Sequence, residues 1–112
     1  MPAADLTPAP AVAVCPVEQA IRIVGGKWKL LVVRALLLNG PRRYNELLAA
    51  ITGISPKELT RNLRELAADG IVARDPSGAP RTAPWSVTKR GQGLMPAFKR
   101  LLVWGRTLNP SD

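Results

Sequence analysis

Three cations within Ser55 to Gly70 raise the first chemical question. Lys57, Arg61 and Arg64 follow one another at intervals of four and three residues, and in a helix that spacing gathers them on one side. Thr60 falls at the edge of the same sector and Ser55 at its head. Guanidinium groups pair bidentately with phosphate or guanine edges, an ammonium serves phosphate as a point charge, and a threonine offers a hydroxyl and a methyl. Glu58, Glu65 and Asp69 fall in another sector, and Leu59, Leu63 and Leu66, with Ala67 at the border, in the third. The cations and acids of the stretch balance, so only their segregation leaves one surface purely basic and able to approach a polyanion. Lys57 adds a hint, since a cation in a first helical turn opposes the helix dipole. Taken alone, the stretch is equally well an ordinary amphipathic helix with a solvated charged face.

Catalytic chemistry is poorly supplied. The chain has no histidine, which removes Ser-His and Cys-His nucleophile pairs and most zinc arrangements. Gly25-Gly26 and Gly91-x-Gly93 lack the continuation of a phosphate-binding glycine loop. The eight acids are scattered over amphipathic stretches and loops, where surface charge is their simplest role. A protein that is not an enzyme, with neither metal nor organic cofactor, is expected.

Sixteen Lys and Arg against eight Asp and Glu give the 112 residues a net charge of +8. No acid lies between Glu18 and Glu46, a span holding Arg22, Lys27, Lys29, Arg34, Arg42 and Arg43, and none between Asp75 and Asp112, where Arg81, Lys89, Arg90, Lys99, Arg100 and Arg106 fall. Such an excess points to nucleic acid or an anionic membrane surface. The longest apolar run, Leu30 to Leu38, is broken by Arg34 and is far shorter than the roughly 20 residues that span a bilayer. The first ten residues hold an acid and three prolines where a secretory signal would be basic and then apolar. A single cysteine, Cys15, leaves no internal disulfide framework. These features predict a cytoplasmic protein with no membrane partner.

The elements that must position the cations read as one domain over residues 15–108, with tails at 1–14, expected to be mobile, and 109–112. Pro16 opens a first helix in which Val17, Ala20, Ile21 and Val24 share a helical spacing, and Gly25-Gly26 ends it. A second helix is expected from about Lys27 to Asn39, with Trp28, Leu31, Val32, Ala35 and Leu36 as its core face and Gly40-Pro41 as its stop. Arg42-Arg43-Tyr44 forms an extended lead into a third helix with Leu47, Leu48 and Ile51 inward, and Thr52-Gly53-Ile54 turns into the Ser55 helix. That helix carries an S-x-x-E capping box, Pro56 at its first position and Gly70 as a left-handed stop. A short helix, a glycine turn and a longer helix with one basic face make a helix-turn-helix.

After Gly70, Ile71 to Arg74 and Trp85 to Val87 read as strands around a turn-rich loop, giving a hairpin wing on which Arg81 is the candidate phosphate contact. Thr88 is expected to cap a last helix through Leu94, Ala97, Phe98, Leu101, Leu102 and Trp104, with Pro96 kinking it or marking a late start. Its apolar surplus suggests a subunit interface, to which the first helix could contribute in a two-fold dimer. The expected fold is mainly α with a small β-hairpin wing, a winged helix-turn-helix with N- and C-terminal dimerisation helices.

Residues 15 to about 106 resemble the HxlR-type family of winged-helix bacterial transcription regulators. The resemblance rests on C-P-V-E at Cys15 to Glu18, G-G-K-W at Gly25 to Trp28, G-P-R-R-Y-N-E-L at Gly40 to Leu47 and G-I-S-P-K-x-L-T at Gly53 to Thr60. It continues in L-R-E-L-x-x-D-G at Leu63 to Gly70 and S-V-T-x-x-G at Ser86 to Gly91. It implies a homodimer, paired through its first and last helices, on a pseudo-palindromic operator. The wing departs from the pattern, with Pro84 before Trp85 where many members carry an acid, so the second strand should be short or on an edge. Some members sense oxidants or electrophiles through a cysteine near the N-terminus, where Cys15 lies. With no second cysteine to resolve an oxidised thiol, a helix-start residue without a sensing role is the simpler account.

The expected function is a sequence-specific regulator of transcription that binds double-stranded DNA, with the Ser55 helix in the major groove. Arg61 and Thr60 would read base edges, Lys57, Arg43 and Lys27 would hold phosphates, and Ser55, Arg64 and Arg81 complete the contact set. The alternative is a winged-helix module that binds protein or RNA without operator specificity. Single-stranded RNA suits it poorly, since one Tyr, one Phe and three mostly core-facing Trp make few stacking platforms. No residue pattern points to a particular small effector.

Overall fold

The structure is a computed structural model that describes residues 15–79 and 82–108. Capping residues and apolar spacing produce α1 (Pro16–Val24), α2 (Lys29–Asn39), α3 (Tyr44–Ala50), α4 (Pro56–Ala68), β1 (Val72–Arg74), β2 (Trp85–Val87), α5 (Lys89–Gln92) and α6 (Met95–Leu108). The tails at 1–14 and 109–112, and Arg81 at the wing, lie outside the described residues.

The core is built where α2, α3, α4 and the hairpin converge. Val32, Val33, Leu36, Leu47, Leu59, Leu63, Leu66 and Val72 are fully buried or nearly so. α2 packs on α4, on β2 and on α3, so it buries a broader stripe than a single amphipathic face. For that reason Val33 is buried, while Leu31, expected inside, is exposed. The helix also starts later than expected, at Lys29, because Trp28 serves as its N-cap and its buried ring lies against Gly53 in the turn before α4.

β1 and β2 pair antiparallel, with Val72 opposite Val87 and Arg74 opposite Trp85. Arg42 bridges the other side of Trp85: its N–H donates to the Trp85 carbonyl at 2.9 Å and its carbonyl accepts from the Trp85 N–H at 2.6 Å. The second strand is thus short, as Pro84 implied, but it is not an edge at Trp85, because the proline stands just outside the ladder. Its carbonyl accepts from the Asp75 N–H at 3.0 Å.

Thr88 does not cap the long last helix. Its hydroxyl accepts from the Gly91 N–H at 3.0 Å and so starts the one-turn α5, while α6 begins afresh at Met95 with Pro96 in its first turn. Proline there needs no broken hydrogen bond, which makes Pro96 a late start and not a kink. α1 buries no residue and α6 buries only Phe98. Val17, Ile21, Leu101, Leu102, Val103, Trp104 and Leu108 are all exposed. Among the described residues no helix is long and apolar enough to cross a membrane.

Candidate nucleic-acid interface

α4 is fixed at both ends by its own residues. The Ser55 hydroxyl accepts from the Glu58 N–H at 3.1 Å, and Glu58 Oε1 accepts from the Ser55 N–H at 2.9 Å, closing the reciprocal box. Gly53 before it and Gly70 after it have φ of +88° and +76°, a left-handed backbone that costs glycine little. Leu59, Leu63 and Leu66 anchor the inner face. Between them the buried Asn62 donates its side-chain N–H to the Glu58 carbonyl at 2.7 Å.

The three acids of this stretch, Glu58 and Glu65 on α4 and Asp69 at its C-cap, each meet a partner from α1 or from the start of α2. Trp28 Nε1 donates to Glu58 Oε2 at 3.0 Å, Lys29 Nζ lies 3.0 Å from Glu65 Oε1, and Arg22 lies 3.9 Å from Asp69 at the far end. Hydrogen bonds from Ser55, with smaller contributions from Trp28 and the nearby Lys27 charge, hold the Glu58 carboxyl below its ordinary range. Hydrogen bonding and charge from Lys29, with a lesser pull from Arg61, do the same for Glu65. Lys57, Arg61 and Arg64 stand exposed and form no ion pair among the described residues. α1 and α2 therefore take up the negative charge of α4 and leave a positive edge facing out.

Thr60 is tied more closely than its exposure suggests. The Tyr44 hydroxyl donates to the Pro56 carbonyl at 2.9 Å and lies 3.1 Å from Thr60 Oγ1. A phenol has one proton, so Thr60 must donate to Tyr44 Oη, and Thr60 presents outward an acceptor lone pair and its methyl. Tyr44 thus orients Thr60; its place in the G-P-R-R-Y-N-E-L run beside the helix-turn-helix is the signal the sequence offered.

The remaining predicted residues divide. Arg43 is the N-cap of α3, where Glu46 Oε1 accepts from its backbone N–H at 2.8 Å. An arginine side chain has no acceptor to return that bond, and its guanidinium is exposed. Lys27 Nζ sits 4.7 Å from the centre of the Trp28 ring, close enough to Glu58 to act on it, which places it at the head of α4. Cys15 is exposed just before α1; its carbonyl accepts from the Gln19 N–H at 2.9 Å and its side chain caps nothing. On the wing, the described strands present Arg74, whose guanidinium carbon lies 5.4 Å from the centre of the Trp85 ring. Arg74 lies within the first strand, whereas the cation expected on the wing, Arg81, falls in the loop. Between α3, α4 and the wing, Tyr44, Asn45, Thr60, Leu63, Arg64, Ala67, Arg74 and Trp85 line a cavity of about 590 Å³.

A family described as HxlR-like helix-turn-helix matches residues 23–112. The uncharacterized HTH-type transcriptional regulator YkvN of Bacillus subtilis (strain 168) is 40% identical over 92 residues, which cover 81% of this chain and 77% of that protein. Among solved structures, the redox regulator HypR in its oxidized form is 36% identical with a TM-score of 0.70, over 83% of this chain and 96% of that one. The reduced form of the transcriptional regulator YodB from B. subtilis is 30% identical with a TM-score of 0.73, over 89% and 100%.

Proposed function

The chain belongs to the HxlR-like helix-turn-helix family, and from that premise we propose that it is a cytoplasmic, sequence-specific transcriptional regulator that binds double-stranded DNA as a homodimer on a pseudo-palindromic operator. One observation carries the reading: Glu58, Glu65 and Asp69 are each held by Trp28, Lys29 and Arg22, while Lys57, Arg61 and Arg64 face out. A helix serving only to pack would use the contacts that hold its acids but would not need a face of three outward cations.

Within this reading α4 enters the major groove. Arg61 pairs with a guanine edge, and Thr60, its proton given to Tyr44, accepts from a base amino group or meets a thymine methyl. Lys57, Arg43 and Lys27 hold phosphates, joined by Arg64 and by the Ser55 end of the helix. Arg81 remains a wing candidate on sequence grounds. The exposed apolar faces of α1 and α6 pair two chains, which sets half-sites one or two helical turns apart, roughly 34 Å per turn. Cys15, exposed at the head of α1, is open to oxidants or electrophiles; likeness to a redox regulator supports a sensing role, and oxidant-driven release from DNA that persists in Cys15→Ser would exclude it.

The test is selection of genomic fragments on the purified protein, followed by affinities for selected and random duplex at two salt concentrations. A preference on the order of 10³ or more is expected at physiological salt. Equal affinity for both would favour the rival module that binds protein or RNA without operator specificity.

A further inference from the structure

We propose that Asn45, in the first turn of α3, donates a hydrogen bond to a backbone phosphate of each half-site, a contact that fixes how α4 sits in the groove. The assignment rests on the DNA reading above. Asn45 is exposed, and its side-chain amide forms no hydrogen bond among the described residues. It follows Tyr44, whose hydroxyl ties α3 to the Pro56 carbonyl and to Thr60 on α4, and it lines one cavity with Thr60 and Arg64. The amide therefore stands beside the outward edge of α4. It is carried by the first helix of the pair, the one that crosses the sugar-phosphate backbone when the second enters the major groove.

Donor chemistry singles this residue out. Phosphate oxygens accept hydrogen bonds and donate none. Tyr44 has given its proton to the Pro56 carbonyl and Thr60 has given its own to Tyr44, so both hydroxyls meet a phosphate as acceptor against acceptor. Leu63 and Ala67 offer no polar side-chain atom. Of the described neutral side chains that α3 and α4 bring to the cavity, Asn45 alone keeps N–H groups to give. Asparagine can also read adenine with both ends of its amide, but that contact needs an element inside the groove, and α4 fills it. Because the amide is neutral, its contact releases no counterion and leaves no mark on the salt slope, which sets Asn45 apart from Lys57, Arg43 and Lys27.

Asn45 occupies the second position of α3, after the Arg43 N-cap and Tyr44, where alanine suits the helix and an aspartate is favoured by its dipole. Fold and DNA contact therefore respond in opposite directions to Asn45→Asp. Its melting temperature should hold or rise, while affinity for selected duplex, read by fluorescence anisotropy, falls by more than about tenfold for each half-site, because a carboxylate repels phosphate. Asn45→Ala should keep the melting temperature and weaken selected and random duplex alike, by about tenfold for each half-site, with the salt slope unchanged. Selected duplexes that carry a single uncharged methylphosphonate, scanned along the half-site, locate the contact: at one position the parent chain loses affinity and Asn45→Ala loses little further. Parental affinity in Asn45→Asp, a loss confined to selected duplex in Asn45→Ala, or additive losses at every methylphosphonate position would each overturn the contact and leave the DNA reading in place. A parent chain that binds no duplex would overturn that reading and the contact with it.

Discussion

Lys29 faces away from the proposed DNA edge, yet Lys29→Met should weaken operator binding. Its ammonium lies 3.0 Å from Glu65 Oε1, with the lysine side chain only 15% exposed and the glutamate 49%. Glu65 is four residues after Arg61, a spacing that lets the two side chains meet on the helix surface, and Arg61 already acts on the Glu65 carboxyl. Released from Lys29, Glu65 can pair with Arg61 and compete with DNA for it. A surface pair at this spacing shifts an equilibrium roughly twofold, hence about fourfold for a dimer that uses two such helices. Fluorescence anisotropy on the operator at about 0.1 M salt would measure this, where screening is moderate. Arg22→Gln is the control. It removes the same charge, but Asp69 has Glu65 and Leu66 at the preceding turn and so no outward cation of α4 to capture, and its effect should be smaller. Lys29→Met with Glu65→Gln should restore affinity. Equal losses in Lys29→Met and Arg22→Gln, or no recovery in the double variant, would refute the reasoning.

Three further outcomes follow from the geometry. Gly91→Ala should lower the melting temperature by about 5–20 °C, since the added methyl would collide with the Ile71 carbonyl and the Val87 side chain and overpacking costs about 1–3 kcal/mol; an unchanged melting temperature would show that α5 can move aside. Glu58, Glu65 and Asp75 have folded values below their ordinary 4.5, 4.5 and 3.8, so the stability they contribute is present above those ordinary values and lost as pH falls through the folded ones. With no histidine in the chain, melting temperature should be nearly level from about pH 7 to 5 and drop below about 4.5, the drop shrinking in Glu65→Gln. Trp104→Glu places a charge on the apolar face of α6, where Trp104 is 61% exposed, and light scattering should find chains of 12.1 kDa in place of dimers, whereas Leu38→Glu, exposed elsewhere on α2, should leave the mass unchanged.

What the sequence made legible was local. The box at Ser55 and Glu58, the stop at Gly70 and the three sectors of α4 depend on residues within a few turns of one another, and all appear as read. So do the two strands, to within one residue. What it hid depends on packing across long separations. The Trp28 bond to Glu58 spans 30 residues, and with Trp28 drawn to the head of α4, α2 starts at Lys29. Arg42 reaches Trp85, which puts the short β2 between two neighbours at that residue; of the two outcomes expected from Pro84, short or on an edge, the short one holds. Val33 and Leu31 exchange places because three elements press on α2 at once, which one helical period does not encode. Thr88 was legible as a cap but not as the cap of a separate short helix. Of the candidate site, the grouping of Ser55, Lys57, Thr60, Arg61 and Arg64 follows from one helical period, while Tyr44, which orients Thr60, and Arg74, which lines the cavity, needed the tertiary contacts.

The central claim is that α4 reads bases with some side chains and holds backbone with others. Its most direct measurement is the affinity of Arg61→Ala and Lys57→Ala for operator and for random duplex across a salt series. The account predicts that Arg61→Ala loses mainly operator affinity, by about 1–3 kcal/mol per half-site, and relaxes preference there, whereas Lys57→Ala weakens both duplexes alike and lowers the salt slope by about 1 per half-site. Equal losses on operator and random DNA in both variants would contradict it.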